Sequence, residues 1–365
     1  MRDEREDKRT DWEHGTEPAL TPLGTPQEPP IRSREGDIIH TAPELAVGEA
    51  DVRSAEPGAR EPLAGTSLWR DAWRRLLKNK LAVFGMLVVA AIILVCTFGP
   101  FVIRLATGFT YDYQPPEIEL KKSFPPFSAP DGTFSWAHPM GTDTLGRDLF
   151  SRVLIGGRIS LMVGIISTLV SLLIGITFGA TAGYLGGRVD NVMMRIVDVL
   201  YSLPYMMIVI VLLAFFGGRS PLGQLVMLFV ALGAVSWLTM ARIVRGQVMS
   251  LKNQEFVLAA RATGVPTERI IFRHLVPNTL GPVIVYATLT IPQVMLQEAF
   301  LSFLGLGVQA PLASWGSLAS EGIQNIAIFP WQLIFPGVTM ALTLFSLNFL
   351  GDGLRDALDP QMRKT

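Results

Sequence analysis

Four histidines, one cysteine and a few acids inside apolar runs are the side chains of this sequence with chemistry to offer. His14, His40, His138 and His274 are scattered, without the close spacing that brings imidazoles onto one metal ion. Cys96 is the sole cysteine. It forms no internal disulfide, and it leaves no basis for a structural cysteine–zinc site. No Gly-Lys pair occurs in the chain. The loop G-x-x-x-x-G-K-[ST], whose backbone amides and lysine cradle nucleotide phosphates, is therefore missing, and the chain does not bind ATP by that device. No catalytic residue, metal ligand or directly bound cofactor is expected. One ionisable group stands out by its setting. Glu298 is the only acid in the apolar stretch Leu280–Leu304. A carboxyl group there is costly in lipid and must face protein or water. Two roles fit it equally: a place on a translocation route near an outer gate, or a hydrogen bond to a neighbouring loop. Pro292 in the same stretch, and Pro204 in an earlier one, each remove a helix hydrogen bond and can kink the chain. A gating hinge and a static bend are both open.

The elements that must position these groups are membrane helices. Of 365 residues, 49% are hydrophobic and 17% charged, and mean hydropathy is +0.38. That composition argues against a soluble single-domain enzyme. Zero formal net charge without a basic stripe argues against a nucleic-acid binder. Six runs approach the ~20 apolar residues that cross a bilayer: Leu81–Ile103, Ile159–Tyr184, Met194–Phe216, Leu222–Val244, Leu280–Leu304 and Trp331–Leu350. The fold class is all-α and polytopic, with six transmembrane helices. Lys and Arg set the orientation. Arg70, Arg74, Arg75, Lys78 and Lys80 precede the first span. Arg242, Arg245, Lys252, Arg261, Arg269 and Arg273 lie between the fourth and fifth, and Arg355, Arg363 and Lys364 follow the sixth. The loop after the third span holds only Arg219, and 306–331 holds no Lys or Arg. The long 104–158 segment, with six basic residues, is a partial exception; both termini are expected in the cytoplasm.

Zero net charge conceals two unlike parts. Residues 1–66 carry 8 Lys/Arg against 15 Asp/Glu, together with 8 of the 25 prolines. Few apolar residues are available to offset ordering entropy, so this acidic, Pro-rich tail is expected to be disordered. The expected organisation is a cytoplasmic tail 1–66, a first-span segment 67–110, an extracytoplasmic segment 111–150, a permease core 151–352 and a cytoplasmic C-terminus 353–365. The core includes a cytoplasmic loop 245–278. Within that loop Asn253-Gln254-Glu255 opens a helix, Ala259, Ala260 and Ala262 favour it, Gly264 breaks it, and Pro266-Thr267-Glu268 starts a second. Two short helices with small residues suit a docking surface; an ordinary amphipathic connector fits the periodicity equally. The turn Gly141–Asp148 offers Asp143 or Asp148 as a cap for the next helix. Ser171, Gly175, Gly179 and Gly183, at steps of four, allow close helix packing in lipid.

Four strings in order carry a resemblance: Gly141-Thr-Asp-Thr-Leu-Gly-Arg-Asp148; Leu258-Ala-Ala-x3-Gly264 with His274-Leu-Val-Pro277; Glu298–Gly307 with Ser314-Trp-Gly316; and Gly351–Pro360. Residues 67–365 resemble the C-type permease subunit of dipeptide/oligopeptide (or nickel) ABC importers. The loop string resembles that family's EAA loop, although its glutamate position is Leu258 and Glu255 lies one turn earlier. The resemblance implies a type I ABC importer permease (MetI-like) fold. It implies an ATPase-coupling loop using Glu255, Ala259, Ala260, Arg261, Gly264 and Pro277, in which a bulky residue at 264 uncouples transport from ATP hydrolysis. It also implies a B-type permease as heterodimer partner, two ATP-binding subunits that use the ATP, an extracytoplasmic solute-binding protein, and residence in the cytoplasmic membrane among its lipids. Peptides are the first substrate expected, with nickel or oligosaccharide as alternatives. An ion-gradient-driven secondary carrier competes from another class, but it calls for inverted repeats and several intramembrane charges, which this sequence does not present. A membrane anchor for the acidic tail is a third reading.

Overall fold

Long apolar runs become helices here, and the polar residues flanking them set where each one starts. The computed structural model describes residues 68–108, 110–115, 122–129, 131–218 and 220–358. The acidic stretch 1–66, Arg219, Asp359-Pro360, Arg363 and Lys364 lie outside the described residues. The elements in order are α1 Leu68–Lys78, α2 Lys80–Thr107, α3 Leu149–Leu185, α4 Gly187–Ser202, α5 Tyr205–Phe216, α6 Pro221–Leu251 and α7 Glu255–Ala262. A single turn, α8 Thr267–Arg269, then passes through a π-helical stretch, Ile270–Leu275, into α9 Val276–Phe303. α10 Trp315–Gln324 and α11 Trp331–Leu358 complete the chain. Among the described residues no strand forms, only isolated bridges between Ser128 and Phe134 and between Thr142 and Asp148.

Caps fix the starts. Asn79 Oδ1 accepts from the amides of Leu81 and Ala82 and opens α2. Asp148 Oδ2 accepts from the Ser151 amide at 2.8 Å and opens α3 ten residues before the expected span. Ser220, followed by Pro221, opens α6. α2 runs through Pro100 to Thr107, four residues beyond the expected span.

Among the described residues, five helical segments are long and apolar enough to cross a membrane. The third expected span, Met194–Phe216, is bent at Pro204, and counted as one span it brings the total to six. α4 and α5 meet at an angle of 86°. Pro204 has no amide to donate and pushes the preceding Leu203 out of the helical region (φ −82°, ψ 144°). The two helices together are long and apolar enough for a broken span or a re-entrant loop.

The heart of the bundle is the packing of α3 on α6. The expected small-residue stripe lies in this seam. A Cβ on Gly179 would strike the Ala241 carbonyl, and one on Gly183 would come 2.8 Å from that of Arg245. Close backbone approach replaces side-chain bulk, as lipid-embedded helices require. Phe178 meets Trp237 at 4.8 Å between ring centres, beside a core of Leu228, Leu232, Val235 and Val294. A second core gathers α2, α3, α10 and α11 around the fully buried Trp315.

The loop between α2 and α3 closes on the bundle through charge. Asp143 accepts from Arg147 Nε at 2.6 Å and from Arg152 at 2.7 Å. Arg152, almost fully buried, also donates to Glu321 on α10 at 2.7 Å. The Gly141–Asp148 turn therefore caps α3 and also ties the α2–α3 segment to α10.

Candidate functional site

Two regions bear on function. The first is the loop after α6. Val257 and Ala260 point inward, onto Val244 and Val248 of α6 and onto Ile270 and Leu275. Glu255, Phe256, Leu258, Ala259, Arg261 and Ala262 face outward, with Phe256 and Leu258 40% and 49% exposed. One face is thus locked and the other left for contact. Gly264 ends α7 at φ +77°. Its amide donates to the Arg261 carbonyl at 3.0 Å, and the Val265 amide donates to that of Ala260 at 3.1 Å. This pair is a Schellman cap, which needs a left-handed residue just past the helix.

Arg261 is engaged within the chain. Its Nε donates to the Tyr184 hydroxyl at 3.1 Å and its guanidinium lies 4.9 Å from the centre of that ring. Lys252 Nζ donates to the Gly183 carbonyl at 3.0 Å. Both cations meet the C-terminal end of α3, where carbonyls lack helix partners and the helix dipole is negative. The loop is therefore bolted to α3. Pro277 is exposed in the first turn of α9, beyond the π-helical stretch. The structure brings Ala260 and Gly264 into one cap, and it places Glu255 and Pro277 at opposite ends of the loop.

The second region is a cavity of about 240 Å³ at the α4–α5 break. Tyr205 faces it from just after Pro204, and Ser236 and Thr239 face it from α6. Tyr286, Thr290, Gln293 and Gln297 face it from α9. The Tyr205 hydroxyl donates to Gln297 Oε1 at 2.6 Å and lies 3.1 Å from Ser236 Oγ. The lining holds hydroxyls and amides but no carboxylate or guanidinium, so it can exchange hydrogen bonds with an uncharged polar group. Irregular backbone at membrane depth is tolerated where it lines a cavity. The sequence reading missed these residues. Their signal was present: positions 286, 290, 293 and 297 recur at helical spacing on one face of an otherwise apolar run.

Glu298 is not among the residues lining this cavity. It is fully buried. Oε1 accepts from Ser302 Oγ and Ser314 Oγ, each at 2.6 Å, and Oε2 faces Ser160 Oγ at 3.4 Å. Ser160 Oγ in turn accepts the Trp315 amide at 3.1 Å. Of the two roles open to Glu298, this geometry matches the hydrogen bond to a neighbouring loop: the carboxyl joins α9, α3 and the capped start of α10. The group has no exposed surface in this structure. Pro292 is buried inside a continuous α9, and the residue after it, Gln293, lines the cavity.

The comparisons with known proteins agree on one family. The profile described as "Binding-protein-dependent transport system inner membrane component" matches residues 175–364. A second, "N-terminal TM domain of oligopeptide transport permease C", matches residues 67–116. The oligopeptide transport system permease protein OppC of Escherichia coli (strain K12) is 50% identical over 299 residues, 82% of this chain and 93% of that protein. The dipeptide transport system permease protein DppC of Bacillus subtilis (strain 168) is 45% identical over 313 residues, 86% and 91% of the two chains. Among solved structures, a chain of the MetNI methionine ABC transporter in inward-facing conformations is similar at TM-score 0.45 and 19% identity. The match covers 58% of this chain and 96% of that one.

Proposed function

The chain belongs to the family of binding-protein-dependent transport system inner membrane components, and from that premise we propose that α7 and the cavity at the α4–α5 break are its two working parts. It is a multi-pass membrane protein and the permease subunit of an ABC importer for peptides. In our reading both termini face the cytoplasm, and the chain pairs in the cytoplasmic membrane with a B-type permease. A solute-binding protein delivers peptide from outside. Two ATP-binding subunits sit on the cytoplasmic face, one of them docked on the exposed face of α7; they bind and hydrolyse the ATP and leave this chain with no chemical step of its own.

The observation that carries the reading is the two-faced α7, fixed to α6 on one side and presenting Phe256 and Leu258 on the other. A motor engaging that face would move α3 and α6 together, because Arg261 and Lys252 bind the loop to the end of α3. ATP shifts such an equilibrium only through different affinity for its two states, and α7 transmits that difference. The cavity offers hydroxyl and amide groups to the peptide backbone, which every peptide shares.

The test is uptake of a labelled tripeptide by proteoliposomes holding this chain with its co-purified partners. F256S/L258S removes about 2 kcal/mol or more of apolar contact. It should lower ATP-driven uptake at least tenfold and release the ATP-binding subunits, while the chain still inserts. Uptake by this chain alone, driven by an ion gradient without nucleotide, would favour the secondary carrier instead.

A further inference from the structure

α1 is too short and too charged to span a membrane, yet it carries large exposed apolar side chains. Its residues fall into stripes with four-residue spacing. Ala72 and Leu76 are buried against Leu354, Ala357 and Leu358 of α11 and against Ala82 of α2. Beside them Trp73 and Leu77 stand 53% and 48% exposed. Next around the helix come Arg70, Arg74 and Lys78, all exposed. At 100° per residue these stripes occupy successive sectors of the helix, with half-buried Asp71 and Arg75 closing the circle. One sector is glued to protein, the next is apolar and about half exposed, and the next is cationic.

A second observation lies beneath the helix. A notch of about 80 Å³ opens between α1, α9 and α11, lined by Ala72, Trp73, Leu76, Ile284, Leu354 and Leu358. Its walls are apolar throughout. Trp73 is shared between the notch and the exposed ledge, so the notch opens toward the apolar stripe and lies close to the basic one.

We propose that α1 is an anionic-lipid site: the notch and the Trp73–Leu77 ledge take part of an acyl chain, and Arg70, Arg74 and Lys78 hold the negatively charged headgroup. The arrangement follows the physics of a helix lying in the interface. Apolar side chains sit at the acyl boundary, tryptophan sits at headgroup depth, and basic side chains meet lipid phosphate. The occupant is a lipid and not a soluble anion, because α1 runs through Asn79 directly into α2, a helix long and apolar enough to cross a membrane, whose Leu81, Phe84 and Leu87 are exposed. Lipid bound there would hold α1 against the end of α11. This proposal does not depend on which solute the protein carries.

The test uses the full chain in nanodiscs of phosphatidylcholine with graded phosphatidylglycerol. Either lipid is brominated in its acyl chains, and the W73F variant supplies the fluorescence background of the other tryptophans. Trp73 should be quenched by brominated phosphatidylglycerol at a lower mole fraction than by brominated phosphatidylcholine. Each basic side chain near an anionic surface is worth about a fivefold preference. R70Q/R74Q/K78Q should therefore reduce the preference at least about fivefold, while R70K/R74K/K78R, which keeps the charges, should retain it. Raising salt on the unaltered protein must weaken the preference too, since screening tightens from about 30 Å at 0.01 M to about 3 Å at 1 M; this arm needs no variant to fold. Equal quenching by the two lipids, or no quenching by either, would overturn the proposal.

Discussion

Replacement of Gly264 separates two reasons why the loop would need glycine there. The sequence alone suggests that bulk is the obstacle. The structure moves the cause to the backbone. A Cβ at 264 meets nothing within 4 Å, but φ is +77°. An L-residue with a Cβ costs about 1–2 kcal/mol in that region, and asparagine costs less because its short polar side chain bonds locally. The cost falls on the cap, so the amides of residues 264 and 265, which donate to the carbonyls of Arg261 and Ala260, should open more often. One to two kcal/mol corresponds to about a 5- to 30-fold change in that local equilibrium. Hydrogen exchange of these amides by mass spectrometry should show such acceleration in G264A. G264V should show a similar or somewhat larger one, and G264N much less. Tripeptide uptake per ATP hydrolysed should fall in the same order. If exchange and coupling instead track side-chain volume, with G264A mild and G264N and G264V severe, the backbone argument is wrong.

Other expectations concern the bundle itself. E298A strands the Ser302 and Ser314 hydroxyls and should cost about 3 kcal/mol, whereas E298Q keeps an acceptor and should cost about 1; thermal unfolding of the purified protein reads the difference. G179L forces α3 away from the Ala241 backbone and should cost about 3 kcal/mol. G246A on the same α6, where a Cβ meets nothing, should stabilise by about 0.5–1 kcal/mol through helix propensity. Cutting the outer clasp should be asymmetric. R152Q leaves the buried Asp143 short of a partner and should cost about 3–5 kcal/mol, while E321Q, on a side chain 47% exposed, should cost under about 1; both are read by the same melt.

Much of the architecture was legible in the chain because lipid is a demanding solvent. A span must be long, apolar and internally hydrogen-bonded, and those are local properties that hydropathy along the sequence records. The missing nucleotide loop, the acidic tail composition, the small-residue stripe on α3 and the helix-breaking Gly264 are local as well. α10 went unread although its Ser314–Ser317 capping box stands in the sequence, because a ten-residue helix after a span reads as loop. What only the tertiary structure decided depends on residues far apart in the chain. Arg152 meets Glu321 and Glu298 meets Ser160 across more than a hundred positions, and Arg261 finds Tyr184 at the end of α3. Pro204 announced a break, but the 86° angle between α4 and α5 and the polar cavity beside it arise from how those helices pack against α6 and α9. Periodicity says which side of a helix is apolar; the partner on that side, or whether it is protein, lipid or a cavity, is fixed only when the other helices have taken their places.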